Sequence, residues 1–426
     1  MRQSHFDVEI AQNRYLPRGA DTVDAIVSVT AHPSADHQVS PSTAAVIMLD
    51  CSASMYRPSK LAAAKRAAHA AIDSLRDGAG FAIVAGTHEA TMIYPSEQAL
   101  AVAGEETRRA AKRAVDDLGA GGGTAMSRWL RAAAELFDGS EYELRHAILL
   151  TDGRNTSESP EALTTTLADL RDRFRCDCRG VGTDWLVSEL RQIAEAMLGT
   201  VDIVAEPEDL VADFTAMIER AMRLSVPDVA LRLWTPKDAE VTLVRQVDPS
   251  VLDLTTHGEP AKAQATDYPT GAWEAETRAF QVRIAVPAAG VGDTMLACRV
   301  SVVGPDGDVL GNGKVLATWT DDPAYYGVLD PQVAHYTGQV ELATAIQHGL
   351  DAHRAGDLDT ATHKLGRAVA LASLSEHAET MKLLSKVVDI EDAERGRVRI
   401  KPSVDTLDHM TLDTRSVVTT RMRRQQ

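Results

Sequence analysis

The sequence predicts a multi-domain α/β protein: a doubly wound, mostly parallel sheet inserted in a β-sandwich, followed by a small helical bundle and a flexible tail. Three observations carry this prediction. Residues 46–55, VIMLDCSASM, contain an apolar run that stops on Asp50, as expected of a strand buried on both faces. Strands alternate with helices over 43–223, a pattern that calls for a parallel sheet. Strands without helices fill 226–322, and two partly alternating stretches in 1–40, FDVEI and TVDAIVSVTA, have no role in the parallel unit.

Length and composition agree with several domains. The chain has 426 residues, 44% of them apolar, enough for two or three cores. With 44 Lys and Arg against 61 Asp and Glu, the formal charge is -17, which repels phosphate backbones and anionic membranes and argues against nucleic acid as a partner. No stretch approaches the ~20 consecutive apolar residues of a membrane span, and residues 1–14 lack the apolar core of a signal peptide. A cytoplasmic protein is expected. The four cysteines fit that compartment: Cys176 and Cys178 have no second pair nearby and read as buried thiols, as does Cys51.

Taken in order, residues 1–40 supply antiparallel strands of the sandwich, and residues 43–223 supply the α/β domain. Within the latter, SKLAAAKRAAHAAIDSL (59–75) has apolar residues at helical spacing and stops at Asp77-Gly78. FAIVAGT and ATMIYP follow as strands. A helix over 105–118 leads into Gly121-Gly122-Gly123-Thr124. Beyond it come a helix through Trp129 and Phe137, the strand HAILLTDG, a helix at 160–174, the strand CDCRGVG, a helix at 185–198, VDIVA, and a helix at 210–222. Five strands over 226–322 join the amino-terminal pair in the sandwich, with Gly304-Pro305-Asp306-Gly307 and Gly311-Asn312-Gly313 as turns. Residues 331–390 read as three amphipathic helices, of which AGDLDTATHKLGRAVALA looks like a tetratricopeptide hairpin. One such hairpin is too few for a free solenoid. Residues 401–426 contain seven Thr or Ser and a basic finish at Arg421, Arg423 and Arg424. They lack the periodicity to fold alone and are expected to be extended, with Thr406, Thr411, Thr414, Thr419 and Thr420 accessible.

The chemistry concentrates at strand ends. Asp50, Ser52 and Ser54 form a DxSxS pattern after one buried strand, Thr124 follows the glycine loop, and Asp152-Gly153 ends a second buried strand. Open α/β sheets bind ligands at these carboxyl edges. Helix capping would explain Ser and Asp before a helix near Pro58, but not Thr124 and Asp152. A phosphate-binding reading of the glycine loop fails because no Lys-Ser/Thr follows it. A hard cation such as Mg²⁺ takes about six oxygens, a set that three hydroxyls and two carboxylates can help to build.

These five residues, in this order, resemble the metal-ion-dependent adhesion site of von Willebrand factor A domains. The whole chain resembles actinobacterial proteins that join such a domain to a β-sandwich and a helical carboxyl-terminal segment, in particular through DGRN at 152–155, GVGTDW at 180–185, VALRLWTP at 229–236 and PQVAHYTGQ at 331–339. The resemblance implies Mg²⁺ or Mn²⁺ bound by Asp50, Ser52, Ser54, Thr124 and Asp152, with the hydroxyls coordinating directly and the aspartates acting largely through water. The ion then stays electrophilic towards an Asp or Glu supplied by a protein partner. The family's gene neighbourhood implies a signalling context with Ser/Thr kinases, phosphatases and forkhead-associated proteins, which could dock on a phosphorylated threonine-rich tail. The expected role is a Mg²⁺-dependent protein-binding scaffold rather than an enzyme. The competing reading is a metal-dependent phosphoryl hydrolase, weakened by the lack of a GxSxG elbow or a recognisable His acid/base motif.

Overall fold

The computed structural model describes residues 5–32, 41–56 and 58–422. The chain forms two compact units, one from Met1–His37 with Asp228–Gln426 and one from Gln38–Pro227.

In the first unit, β1 (His5–Gln12), β2 (Tyr15–Pro17) and β3 (Thr22–His32) precede the inserted unit. The inserted unit contains β4 (Thr43–Asp50), α1 (Pro58–Ser74), β5 (Gly80–Gly86), β6 (Ala90–Tyr94), β7 (Ala101–Val102), α2 (Glu105–Asp116) and α3 (Met126–Asp138). It continues with β8 (Leu144–Thr151), α4 (Pro160–Leu170), β9 (Arg175–Val181), α5 (Val187–Ala196), β10 (Val201–Val204) and α6 (Leu210–Arg223). Its sheet runs β10-β9-β8-β4-β5-β6, with β7 also on β5. β4 is central, pairing in parallel with β5 and β8, whereas β6 and β7 are antiparallel to β5.

The central position of β4 explains its composition. All eight of its residues are buried, and because neighbours on a strand point to opposite faces, both faces must be apolar. Ala45, Ile47 and Leu49 join one core with α1, α2 and α6. In α1 the small Ala63, Ala64, Ala67, Ala68 and Ala71 let the helix lie close to the sheet. Val46 and Met48, equally buried, face the other layer. There Trp129 of α3 covers the end of β5, and its indole donates a 2.7 Å hydrogen bond to the Thr87 carbonyl. Gly86 is required beneath it, since a Cβ there would come within 2.3 Å of the indole.

The first unit resumes with β11 (Val226–Trp234), β12 (Glu240–Asp248), β13 (Leu252–Asp253), β14 (Glu259–Lys262), β15 (Ala265–Trp273), β16 (Thr277–Ala285), β17 (Thr294–Val303) and β18 (Val309–Thr320). Two sheets form, β1-β3-β16-β12-β13 and β14-β15-β11-β17-β18-β2. β3 pairs antiparallel with β16 from Thr22–Ala285 to Thr30–Thr277, so the sandwich is built from both sides of the insertion.

Two sequence expectations are corrected here. Gly311-Asn312-Gly313 is not a turn but lies within β18, opposite Val302, Ser301 and Val300. Its glycines admit β1, because a Cβ on Gly311 would meet the Phe6 carbonyl oxygen at 2.2 Å. β15 was not expected, since Pro269 and Gly271 interrupt its pattern.

The chain continues through α7 (Pro323–Tyr326), α8 (Pro331–Arg354), α9 (Leu358–Leu374), α10 (Ala378–Val387), β19 (Val388–Asp392), β20 (Arg397–Ile400) and α11 (Thr406–Arg415). α8, α9 and α10 share a core that Val398 and Ile400 of the unanticipated β19-β20 hairpin also touch. At its start α8 packs Val333 and Tyr336 on Ile26, Val247 and Ala279 of the sandwich.

The flexible tail is also corrected. Residues 406–415 are helical, with Leu412 and Thr414 fully buried. Arg354 pairs with Asp413 at 2.9 Å. Beyond the helix, Val251 N–H donates to the Val417 carbonyl (2.7 Å), Thr420 N–H donates to Gln339 (2.7 Å), and Arg421 meets the buried Asp248 at 2.8 Å. The segment is ordered against helices and strands that precede it in the chain. Of the five threonines, Thr406 and Thr420 are exposed while Thr411 and Thr419 are half-buried. Arg423 and Arg424 lie outside the described residues.

Candidate metal centre

The carboxyl edge of the parallel sheet brings together all five residues singled out in the sequence. β4 delivers Asp50 at its last position, and the chain turns through Ser52 and a short 3₁₀ segment, Ala53–Tyr56, before α1. The glycine loop is stitched to this turn by two backbone bonds, Gly121 N–H to Cys51 O (2.8 Å) and Ala53 N–H to Gly122 O (2.9 Å). That stitching carries Thr124 to the same place. β8 delivers Asp152 just past its end.

Asp50, Ser52, Thr124 and Asp152 are buried, and Ser54 is half-buried. The Ser52 and Ser54 hydroxyl oxygens are 2.8 Å apart, and Ser54 donates to Asp152 Oδ1 at 2.5 Å. Gly153 leaves room among them: a Cβ there would sit 3.0 Å from Ser54 Oγ and 3.7 Å from Thr124 Oγ1. The oxygens of Asp50 are held by protein donors, Oδ1 by Ser52 N–H (2.8 Å) and Oδ2 by the Thr151 hydroxyl (2.5 Å). Asp152 Oδ2 accepts from Lys60 Nζ at 2.6 Å.

Burial pushes the Asp50 carboxyl above its ordinary 3.8; hydrogen bonds from Ser52 and Thr151 pull it back, and the Asp152 charge adds to the rise. Two aspartates with fully buried side chains thus stand within one small polar site. A divalent ion would offset that desolvation and repulsion. Among the described residues no group of three or more His, Cys, Asp or Glu is placed to hold a metal, whereas this edge combines hydroxyls with carboxylates. It is an oxygen set, suited to a hard cation rather than to a thiolate- or imidazole-seeking one. Cys51, beside the site, has its thiol pushed up to about 12 by burial and the Asp50 charge, so it is inert packing. Cys176 and Cys178 are buried free thiols as expected.

Several residues that support the site were not singled out from the sequence. Thr151 fixes Asp50. Asn155 Oδ1 accepts from Met126 N–H (2.9 Å), and Glu158 Oε1 accepts from Ser127 N–H (2.9 Å) and Asn155 Nδ2 (2.6 Å). The loop after β8 therefore caps the first turn of α3 and fixes Thr124 relative to Asp152. A polar cluster two to six residues beyond an aspartate at a strand end was the available signal for Asn155 and Glu158. Lys60 carried no comparable signal, because a lysine early in a helix reads as solvated.

The chain matches the von Willebrand factor type A domain over residues 43–203 and the von Willebrand factor type A C-terminal domain over residues 370–416. No curated protein matches it. Among solved structures it is similar to a von Willebrand factor type A protein from Catenulispora acidiphila, with 45% identity over 99% of this chain and 98% of that one and a TM-score of 0.94. It shares its fold with the ArnB paralog VWA2 from Sulfolobus acidocaldarius, with 15% identity, 98% and 100% coverage and a TM-score of 0.61. A relative 45% identical along nearly the whole chain, with the hydroxyl and carboxylate edge just described, shows that this protein belongs to the von Willebrand factor type A family.

Proposed function

We infer that the chain is a Mg²⁺- or Mn²⁺-dependent protein-binding module. Asp50, Ser52, Ser54, Thr124 and Asp152 would hold the ion, and a partner's Asp or Glu carboxylate would complete its coordination. The observation that carries this reading is the convergence of three hydroxyls and two buried carboxylates at one sheet edge. The ion supplies an electrophilic contact for the partner's carboxylate. The chain's own residues hold it in place: Thr151 and Ser52 N–H orient Asp50, and the Asn155 and Glu158 cap steadies the Thr124 loop. The role is binding rather than catalysis in this reading, since the Ser52 and Ser54 hydroxyls and the Asp152 carboxylate are taken up in holding the ion.

The setting fits an intracellular scaffold or signalling component, although the threonine-rich docking handle narrows. Thr414 is buried, leaving Thr406 and Thr420 as the surface positions that a Ser/Thr kinase could modify for a forkhead-associated partner. Among the described residues no helix is long and apolar enough to cross a membrane.

Calorimetry with Mg²⁺ and Mn²⁺, together with partner capture with and without chelator, tests the reading on wild type and Asp50→Ala. Wild type is expected to bind metal and to lose its partner in chelator, while Asp50→Ala loses both activities and keeps its circular dichroism. Equal metal affinity in the two proteins would overturn the site. Metal-dependent turnover of a generic phosphate ester would favour the hydrolase.

A further inference from the structure

Lys60 is the notable member of this site that metal coordination does not use. It lies near the start of α1, and its side chain is 12% exposed. Its ammonium is 2.6 Å from Asp152 Oδ2, whose side chain is fully buried, and 3.3 Å from Asp184 Oδ2, whose side chain is 63% exposed. It passes Gly182, where a Cβ would sit 3.9 Å from Nζ. One mobile point charge on a flexible stem thus has an inner carboxylate in the metal site and an outer one in solvent.

We propose that Lys60 is a tethered counter-cation that competes with the metal, guarding Asp152 in the metal-free protein and shifting towards Asp184 when the ion binds. This rests on the metal-binding reading above. Without metal, the ammonium neutralises a buried carboxylate that would otherwise stand uncompensated. With metal, ion and ammonium stand close in a poorly screened site, and their repulsion weakens binding. The loaded site then holds the ion and two carboxylates, whose charges balance, with the ammonium moved out to the Asp184 carboxylate. Lys60 thus lowers the affinity for the free ion, and its withdrawal to Asp184 releases Asp152 to the metal.

The test is a calorimetric titration of the full chain with Mg²⁺ alone, comparing wild type, Lys60→Gln, Lys60→Arg and Asp184→Asn, with thermal melts of each protein with and without Mg²⁺. Lys60→Gln should bind Mg²⁺ about tenfold more tightly, melt lower than wild type without metal, and gain more from Mg²⁺. Lys60→Arg, which keeps the charge, should not bind more tightly than wild type. Asp184→Asn removes the outer station and should weaken Mg²⁺ binding even at raised salt, where a solvent-screened effect fades. This variant decides the matter if Lys60→Gln fails to fold. Mg²⁺ affinity in Lys60→Gln equal to or weaker than wild type overturns the Lys60 proposal and leaves the metal site standing. No Mg²⁺ binding by wild type or any variant overturns both.

Discussion

Two buried aspartates of the same sheet have opposite electrostatic fates. Asp50 closes β4 at the carboxyl edge, while Asp177 is the third residue of β9, nearer the amino-terminal end. Burial pushes Asp177 up as it does Asp50, but Arg175, His146 and Arg179 outweigh it and hold the carboxyl well below its ordinary 3.8. Its Oδ2 meets His146 Nε2 at 2.8 Å, and its Oδ1 accepts from Thr200 N–H at 2.6 Å and from the Thr200 hydroxyl at 2.8 Å. The donors to Asp50, Ser52 N–H and the Thr151 hydroxyl, are neutral, and its neighbour Asp152 is like-charged. A carboxylate already surrounded by protein cations belongs to the fold, whereas one left short of positive charge is receptive to an ion from solution.

The largest expected effect separates the two sites by mutation at the finished one. Asp177→Asn leaves the buried His146 without its carboxylate partner and removes the ion pair of Arg175, and should lower the opening free energy of β8 and β9 by about 3 kcal/mol. Amide hydrogen exchange measures that opening locally in a two-unit chain, where a single unfolding free energy is ill defined. A loss below about 1 kcal/mol would break the comparison.

At the unfinished site, Asp50→Asn should change the same quantity by less than about 1 kcal/mol in metal-free protein. It should also abolish the Mg²⁺-induced rise in Tm expected of wild type. A large loss of metal-free stability would mean that Asp50 is a structural group like Asp177.

The smallest effect sharpens the contrast by pH. Asp177 has a depressed folded value, so its stabilisation is complete above its unfolded value near 3.8 and is lost only as pH falls through the depressed one. The difference between wild type and Asp177→Asn should therefore be flat from pH 7 down to about 4 and shrink only below that. Asp50 has a raised value, so ionising it costs stability. Metal-free Asp50→Asn should accordingly gain on wild type as pH rises through that raised value. A gain that runs the other way would remove the electrostatic basis for its receptivity.

Much of this was legible in the sequence. Asp50, Ser52, Ser54, Thr124 and Asp152 were visible because each follows a buried strand or a glycine loop, and strand ends in a parallel sheet converge. The insertion was visible because Val23, Ala25, Val27 and Val29 recur at every second position, with polar Asp24 and Ser28 among the residues between them, and have no place in a parallel sheet. Lys60 was not, since its meaning depends on Asp152, ninety-two positions away. α11 was missed for a related reason. Its two most buried apolar side chains, Met410 and Leu412, are not at helical spacing, and its order comes from the core that Leu412 joins and from Arg354, which composition cannot assign to it.

The pairing of β3 with β16 has a consequence in time. During synthesis β3 emerges with β1 already made but long before its other neighbour, because β16 begins only at Thr277. At ~5–20 residues per second the wait is on the order of tens of seconds. In that interval the entire inserted sheet can emerge and fold. β3, with Val23, Ile26, Val27 and Val29 destined for complete burial, then has β1 as a partner along one edge while the edge that β16 will cover stays open. The nascent chain is thus most exposed to misassociation at its first strands, and a chaperone that acts on it has its natural substrate there rather than at the metal site.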